Sequence, residues 1–181
     1  VQRDSITNLP NINSSSLKGA FREAFSTKDE EPTNMVKYIF GGSNDEDSHA
    51  TGAYSFFEAQ LLTRPVRSNV KSFFNATSPA VISSFLQTIE DFEIEFDEAL
   101  KAELEKFSKL KPQKNKPFIF TNITNAMLED EEAVSNNFET ANIQEFLGQD
   151  LALFDDGDFK ELALPVLARN FLVDGVSKNL W

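Results

Sequence analysis

The chain has 181 residues, 40% of them hydrophobic and 25% charged, which is long enough for one domain with a hydrophobic core. Its 17 basic and 29 acidic side chains give a net charge of -12, so we expect neither a nucleic acid nor an anionic membrane as a partner. The lack of cysteine excludes thiol catalysis, disulfides and zinc–thiolate sites. No apolar run approaches the roughly 20 residues that span a membrane, so membrane insertion is not predicted.

The N-terminal part of the chain predicts an arm followed by a helix. Residues 1–16 are polar and are interpreted as a flexible arm, and residues 17–181 as a single helical domain. Serines before Leu17 are suited to cap a helix in which Leu17 and Phe21 recur at helical spacing. The following segments predict a helix or strand at 35–40, a loop at 41–52, and helices at 53–62 and 66–74.

The strongest pattern in the sequence is an apolar stripe that predicts one long amphipathic helix over about 79–110. Ser78 and Pro79 form a start signal, a cap followed by proline in the first turn. Steps of three and four residues then separate Ile82, Phe85, Ile89, Phe92, Phe96, Leu100, Leu104 and Phe107.

The acidic stretch DFEIEFDEAL, residues 91–100, lies within this stripe and leaves an alternative open. In a helix its carboxylates form a solvated face, and Ile94 points away from the stripe as a candidate contact with a partner. In a strand Phe92, Ile94 and Phe96 would share one face, but glutamate and aspartate are poor strand formers. We favour the helix.

The C-terminal half predicts further helices around one strand. The segments are a basic Pro/Lys loop at 109–117, a strand at 117–124, helices at 125–134 and 140–149, a turn at 154–159, and a helix bent at Pro165 over 159–176. The fold class we expect is mainly α, an irregular bundle of five to seven helices around the long helix. A small two- or three-stranded β element is compatible with it, and α+β is the alternative class.

Catalytic chemistry has little support in the sequence. The chain has one histidine, His49, which sits in a loop of Gly, Ser and Asp, and no Gly-x-Ser-x-Gly motif is present. Carboxylates such as Asp91, Glu93 and Asp97 suit a glycosidase-type hydrolase, which we keep as a second alternative function. We expect a protein that is not an enzyme.

Two acidic loops are candidate calcium sites, and calcium is the only cofactor considered. Asp45 and Asp47 lie in one loop, and Asp155 and Asp158 surround Gly157 in another. Neither loop fits the twelve-residue calcium-binding pattern, and these residue types also favour plain turns.

Two aromatic pairs suggest either a broad core or a cavity for a small apolar ligand. Phe56 and Phe57 form one pair, and Phe73 and Phe74 the other. Neighbouring helical residues point about 100° apart, so each pair needs a wide buried face. A core is the simpler explanation, and a carrier of a small apolar ligand is the first alternative function.

We therefore expect a non-catalytic protein-interaction or structural module. Its partner would be another protein or a second copy of the chain, with a small apolar ligand as a further option. The start at Val1, the missing cysteine and the acidic surface favour an extracellular, periplasmic or surface-associated protein, with a cytoplasmic one as the alternative.

Overall fold

The computed structural model of the chain describes residues 2–26, 33–42, 51–163, 169–173 and 176–180. Two compact units, Val1–Gln60 and Leu61–Trp181, make up the chain. Of the helices in the described ranges, none combines the length and apolar character that a bilayer crossing requires.

The first unit combines two helices with a short antiparallel strand pair. Its elements are β1 (Asn11–Ile12), α1 (Ser14–Phe25), α2 (Asn34–Phe40) and β2 (Ala59–Gln60), with β1 paired to β2. Helix α1 is capped by Asn13, whose side chain accepts a hydrogen bond from the Ser15 N–H. Residues of the predicted arm thus take part in β1 and in the start of α1.

The second unit is built on a five-stranded mixed sheet. Its strands are β3 (Arg64–Val66), β4 (Phe74–Thr77), β5 (Phe118–Ile119), β6 (Met127–Leu128), β7 (Glu131–Glu132), β8 (Val134–Ser135) and β9 (Leu151–Leu153). The order in the sheet is β3-β4-β9-β5-β8, and β6 and β7 form a separate hairpin. Strand β9 pairs parallel with β4 and antiparallel with β5. Its three residues are all buried, as expected for a central strand with both faces covered.

The second unit contains the helices α3 (Pro79–Asp91), α4 (Glu98–Phe107), α5 (Ala141–Leu147) and α6 (Asp156–Ala163). Helices α3, α4 and α5 pack their apolar faces into one core with β9. The buried cluster consists of Ile82, Leu86, Leu104, Phe107, Ile143, Leu147, Leu151 and Leu153. A final hairpin joins β10 (Arg169–Val173) to β11 (Val176–Leu180).

The prediction of a mainly helical bundle is wrong, because the fold is α+β, the class named as the alternative. Three predicted helices do not form: 53–62 contains only the short strand β2, 66–74 meets β3 and β4 at its two ends, and 125–134 contains β6, β7 and the start of β8. The helix predicted beyond Pro165 is also wrong, since Arg169–Val173 form strand β10. In each case pairing with another strand overrides the local pattern.

The predicted long helix is two helices, broken at the acidic stretch. Helix α3 ends at Asp91, Glu93 has a left-handed backbone with φ of 49°, and Asp97 caps α4 by accepting from the Leu100 N–H. Residues 92–97 are therefore neither helix nor strand. Ile82, Leu104 and Phe107 of the stripe lie in the core, with Phe85, Phe96 and Leu100 packed against it, whereas Phe92 in the break is 54% exposed.

Strand β9 should carry much of the stability of the second unit. We expect Leu153→Ala to lower the free energy of unfolding by about 2–5 kcal/mol, because it leaves a cavity at the centre of the sheet. Ile94→Ala removes a half-exposed aliphatic side chain and should cost about 1 kcal/mol or less. Urea denaturation of both variants measures the difference, and equal losses would contradict the central position of β9.

Candidate nucleic-acid interface

A lysine-rich segment at the end of α4 is the clearest positive feature of this acidic chain. Residues 106–116, the lysine segment, contain no aspartate or glutamate and carry Lys106, Lys109, Lys111, Lys114 and Lys116. All five side chains are exposed, and none is engaged by an ion pair within the described residues. In the described part of this unit, three other cations do form ion pairs, among them Lys101, whose Nζ lies 3.2 Å from Glu90 Oε1.

The backbone of the lysine segment is fixed while its side chains stay in solvent. Gln113 and Lys116 form a tight turn, in which the Lys116 N–H donates to the Gln113 carbonyl at 3.0 Å. Asn115, at φ of 58°, has the left-handed conformation that asparagine tolerates. Its N–H donates to Asp158 Oδ2 at 2.6 Å, and Asp158 is only 3% exposed. The lysine heads are thus presented from an anchored loop.

Asp155 and Asp156 at the start of α6 also bond to backbone N–H groups. Asp156 Oδ1 accepts from the Ala80 N–H at 2.8 Å and so caps α3, where Ser78 makes no side-chain cap of its own. Asp155 Oδ1 accepts from the Gly157 N–H at 2.9 Å. The loop predicted as a turn is therefore the first turn of a helix.

A cavity of about 610 Å³ lies between the starts of α3 and α6 and the lysine segment. Its wall consists of Pro79, Ser108, Lys109, Leu110, Lys111, Pro112, Asp155 and Asp156. This volume is within the range of about 300–1,000 Å³ that small-molecule pockets occupy.

Glu131 on β7 is a carboxyl group in an unfavourable place for a charge. Its Oε2 atom is buried and has no hydrogen-bond partner among the described residues. Burial, with the nearby charges of Asp158, Glu161 and Asp155, raises the pKa of Glu131 to about 7. This side chain is therefore partly protonated at neutral pH.

The predicted calcium residues have different outcomes. Asp45 and Asp47, like His49, lie outside the described residues. Asp155 accepts a hydrogen bond from the backbone N–H of Gly157, and Asp158 accepts one from that of Asn115. Within the parts of the chain that the structure describes, no three His, Cys, Asp or Glu side chains group to hold a metal ion. Calcium stays a prediction without structural support.

The predicted phenylalanine pairs belong to different units and do not behave as pairs. In the first unit Phe56 stacks on Phe40 with ring centroids 5.3 Å apart, while Phe57 is 61% exposed. In the second unit Phe74 is fully buried at the start of β4, and Phe73 is about half exposed. Neither pair lies in a helix. In extended backbone, neighbouring side chains point to opposite sides, so one phenylalanine of each pair faces inward and the other faces solvent.

Ile94 is half exposed in the break between α3 and α4. Its N–H donates to the Ile89 carbonyl at 2.9 Å, which continues the end of α3. The side chain is accessible, but for a reason other than the helical register that was expected. Its role as a partner contact stays a prediction.

The lysine segment was recognised in the sequence only as a basic loop. The net charge of -12 led to the exclusion of a nucleic acid, but phosphate groups respond to local charge within a Debye length of about 8–10 Å. The signal that the sequence did hold was five lysines among residues 106–116 without an acid.

Comparison with known proteins supplies a family and a fold. Residues 1–164 match the RAMP superfamily. Among solved structures, oligomeric Cmr4 from Pyrococcus furiosus is 20% identical, with a TM-score of 0.66 over 93% of this chain and 67% of that chain. A chain of the type III-B Cmr-beta complex bound to cognate target RNA is 18% identical, with a TM-score of 0.67 over 99% of this chain and 66% of that chain. The chain thus spans about two thirds of the length of these relatives. No curated protein matches it.

These matches contradict the functions predicted from the sequence. An exported interaction module, a carrier of an apolar ligand and a carboxylate hydrolase all disagree with membership of the RAMP superfamily and with a fold shared with a chain of the type III-B Cmr-beta complex. The predicted extracellular, periplasmic or surface-associated location followed from the exported module and is overturned by the same matches. The exclusion of nucleic acid also conflicts with a relative solved on its target RNA.

The raised pKa of Glu131 predicts a stability that falls as pH rises. Between about pH 5 and 7 the folded state holds a proton that the unfolded state has released, so the free energy of unfolding decreases with pH. Glu131→Gln has no carboxyl group to titrate at this position, so the variant lacks this decrease in the free energy of unfolding. We expect its stability relative to the wild type to increase from pH 5 to 8, by about 1 kcal/mol after allowance for solvent screening.

Urea denaturation across this pH range measures the effect. Glu132→Gln, which removes an exposed carboxylate from the same strand, is the matched control. A pH-independent difference between Glu131→Gln and the wild type would show that Glu131 keeps its charge in the folded protein.

Proposed function

Because the chain belongs to the RAMP superfamily, we propose that it is an RNA-binding structural subunit of a multi-subunit assembly resembling the type III-B Cmr complexes. The observation that carries this proposal is the lysine segment, whose five exposed cations have no acidic partner among the described residues. It is the part of the second unit best suited to follow a phosphate backbone.

The charge distribution supports a local interface rather than a generally basic surface. Lysine is a flexible, strongly hydrated cation that contacts phosphates without reading sequence. Five such side chains on an anchored loop supply several phosphate contacts at once, and each contact releases counterions from the RNA. Acidic side chains elsewhere repel RNA and restrict binding to the lysine segment.

The proposed assembly includes contacts with protein as well as RNA. Association with another protein or with a second copy, as expected from the sequence, agrees with a fold shared with oligomeric Cmr4. Exposed apolar residues of the second unit, Ile94 among them, are available for such contacts.

The absence of catalysis stays a prediction, and the function we propose is structural. Binding measurements with end-labelled RNA also examine this point, because a denaturing gel of the same samples shows whether the RNA is cut.

We expect Lys111→Gln with Lys114→Gln to weaken binding of a single-stranded RNA and to reduce its salt dependence. The slope of log affinity against log salt should fall by about 0.7 for each phosphate group that the variant no longer neutralises. Fluorescence anisotropy of a labelled RNA over a range of salt concentrations measures both quantities.

The matched control is Lys71→Gln with Lys101→Gln, which removes the same charge from lysines that already pair with Asp150 and Glu90. This variant should change the salt slope less. Equal effects of the two double variants would mean that binding responds to net charge and not to the lysine segment.

A further inference from the structure

We propose that the surface around the break between α3 and α4 docks an arginine-rich, partly apolar segment of another protein. This inference rests on the proposed function, because it states the chemistry of one protein partner in the proposed assembly. It concerns a surface other than the lysine segment, so its failure and the failure of RNA binding can be told apart.

Three phenylalanine rings at this surface contact one another and form the centre of an exposed apolar patch. The ring centroids of Phe85 and Phe96 lie 5.8 Å apart, and each lies 5.6 Å from that of Phe146. Phe85 and Phe96 also pack against the buried core, whereas Phe146 on α5 is 41% exposed. Phe92 and Ile94, in the same break as Phe96, are exposed as well. These five residues are the apolar patch, and contiguous exposed apolar surface of this kind marks interaction sites.

The apolar patch lies within an acidic part of the chain. Residues 90–98 contain six acidic side chains and no basic one, and Glu145 directly precedes Phe146. Glu90 pairs with Lys101. Four of these carboxylates are exposed and form neither an ion pair nor a side-chain hydrogen bond within the described residues, namely Glu93, Glu95, Glu98 and Glu145. Their charges are therefore available to a cationic partner.

The charge around the apolar patch decides between possible occupants. Bases stack on aromatic rings, but these carboxylates repel the phosphates of RNA, and they repel an anionic lipid surface in the same way. A second copy of the chain carries the same net charge of -12, and its lysine segment is assigned to RNA in the proposed function. A basic segment of a different protein matches both the apolar centre and the acidic surroundings.

Arginine fits this surface better than lysine does. Apolar and acidic residues alternate from Phe92 to Asp97, so one short segment offers both aromatic faces and carboxylates. The guanidinium group stacks on aromatic rings and binds a carboxylate through two parallel hydrogen bonds, whereas the lysine ammonium is a strongly hydrated point charge. Apolar side chains between the arginines would cover Ile94 and the exposed edge of the rings.

The test uses the full chain and two short labelled peptides, one of alternating arginine and leucine and one with lysine in place of arginine. Fluorescence anisotropy measures both affinities, and we expect the arginine peptide to bind about fivefold more tightly. Phe146→Leu keeps an apolar side chain but removes the exposed ring, so it should reduce this preference to about twofold or less. Phe73→Leu, which changes another half-exposed phenylalanine of the second unit, is the matched control and should keep the preference.

Glu93→Gln with Glu95→Gln should weaken the binding of the arginine peptide by about fivefold, because two unpaired carboxylates beside the apolar patch are lost. The control Asp130→Asn with Glu132→Gln removes the same charge from exposed positions of the β6–β7 hairpin and should weaken binding less. Single-stranded RNA should bind all of these variants at least as tightly as it binds the wild type, which also shows that they are folded.

Equal affinities of the wild type for the two peptides, or equal effects of the two double variants, would overturn the inference and leave RNA binding intact. RNA binding that Phe146→Leu weakens would overturn it by assigning the apolar patch to nucleic acid. Self-association in analytical ultracentrifugation that Glu93→Gln with Glu95→Gln abolishes would overturn it in favour of a second copy. RNA binding that ignores Lys111→Gln with Lys114→Gln would overturn the proposed function, whereas an arginine preference that depends on Phe146 would still support the docking surface.

Discussion

Two carboxylates at the start of α6 connect segments that are far apart in the sequence, and a third closes the turn that holds them. Asp156 caps α3, Asp158 holds the turn at Asn115, and Asp155 bonds to Gly157 within its own turn. A buried aspartate is costly unless its oxygens are hydrogen-bonded, and an uncapped helix N-terminus leaves donors unsatisfied. Both needs are met by the same few residues. The position of the lysine segment, and with it the cavity, therefore depends on this one helical turn.

This arrangement explains how an acidic protein can present a basic surface. The carboxylates next to the lysine segment accept hydrogen bonds from backbone N–H groups. Asp158 in this way fixes the backbone of the segment at Asn115 without forming an ion pair with its lysines. Glu131 is the exception, because its buried carboxyl group lies among these acids and has a raised pKa. Burial and the repulsion between these neighbouring carboxylates therefore raise the pKa of Glu131.

Sequence periodicity located the buried residues better than it located the elements. The stripe from Ile82 to Phe107 identified core positions of α3 and α4. It missed the break at Glu93, where a left-handed residue separates two helices that share one apolar face. The two-residue strands β6, β7 and β8 are too short for a period to be read, and only their pairing partners define them.

The candidate site was harder to predict, for a different physical reason. A net charge taken over the whole chain conceals the five lysines among residues 106–116. The cavity beside them is lined by residues from the start of α3, from the lysine segment and from the start of α6, which the sequence alone does not bring together. Asp155 and Asp158 were noticed as possible metal ligands because their residue types fit. Their bonds to Gly157 and Asn115 follow from the fold and not from spacing.

The order of strands has a consequence for synthesis on the ribosome. Strand β4 ends at Thr77, but its parallel neighbour β9 is complete only at Leu153. At about 5–20 residues per second, β4 waits several seconds with one edge open while the helices and β5 are made. An open edge that carries the core residue Phe74 is a template for pairing with other chains. The nascent chain is therefore most exposed to aggregation before β9 emerges and pairs with this edge.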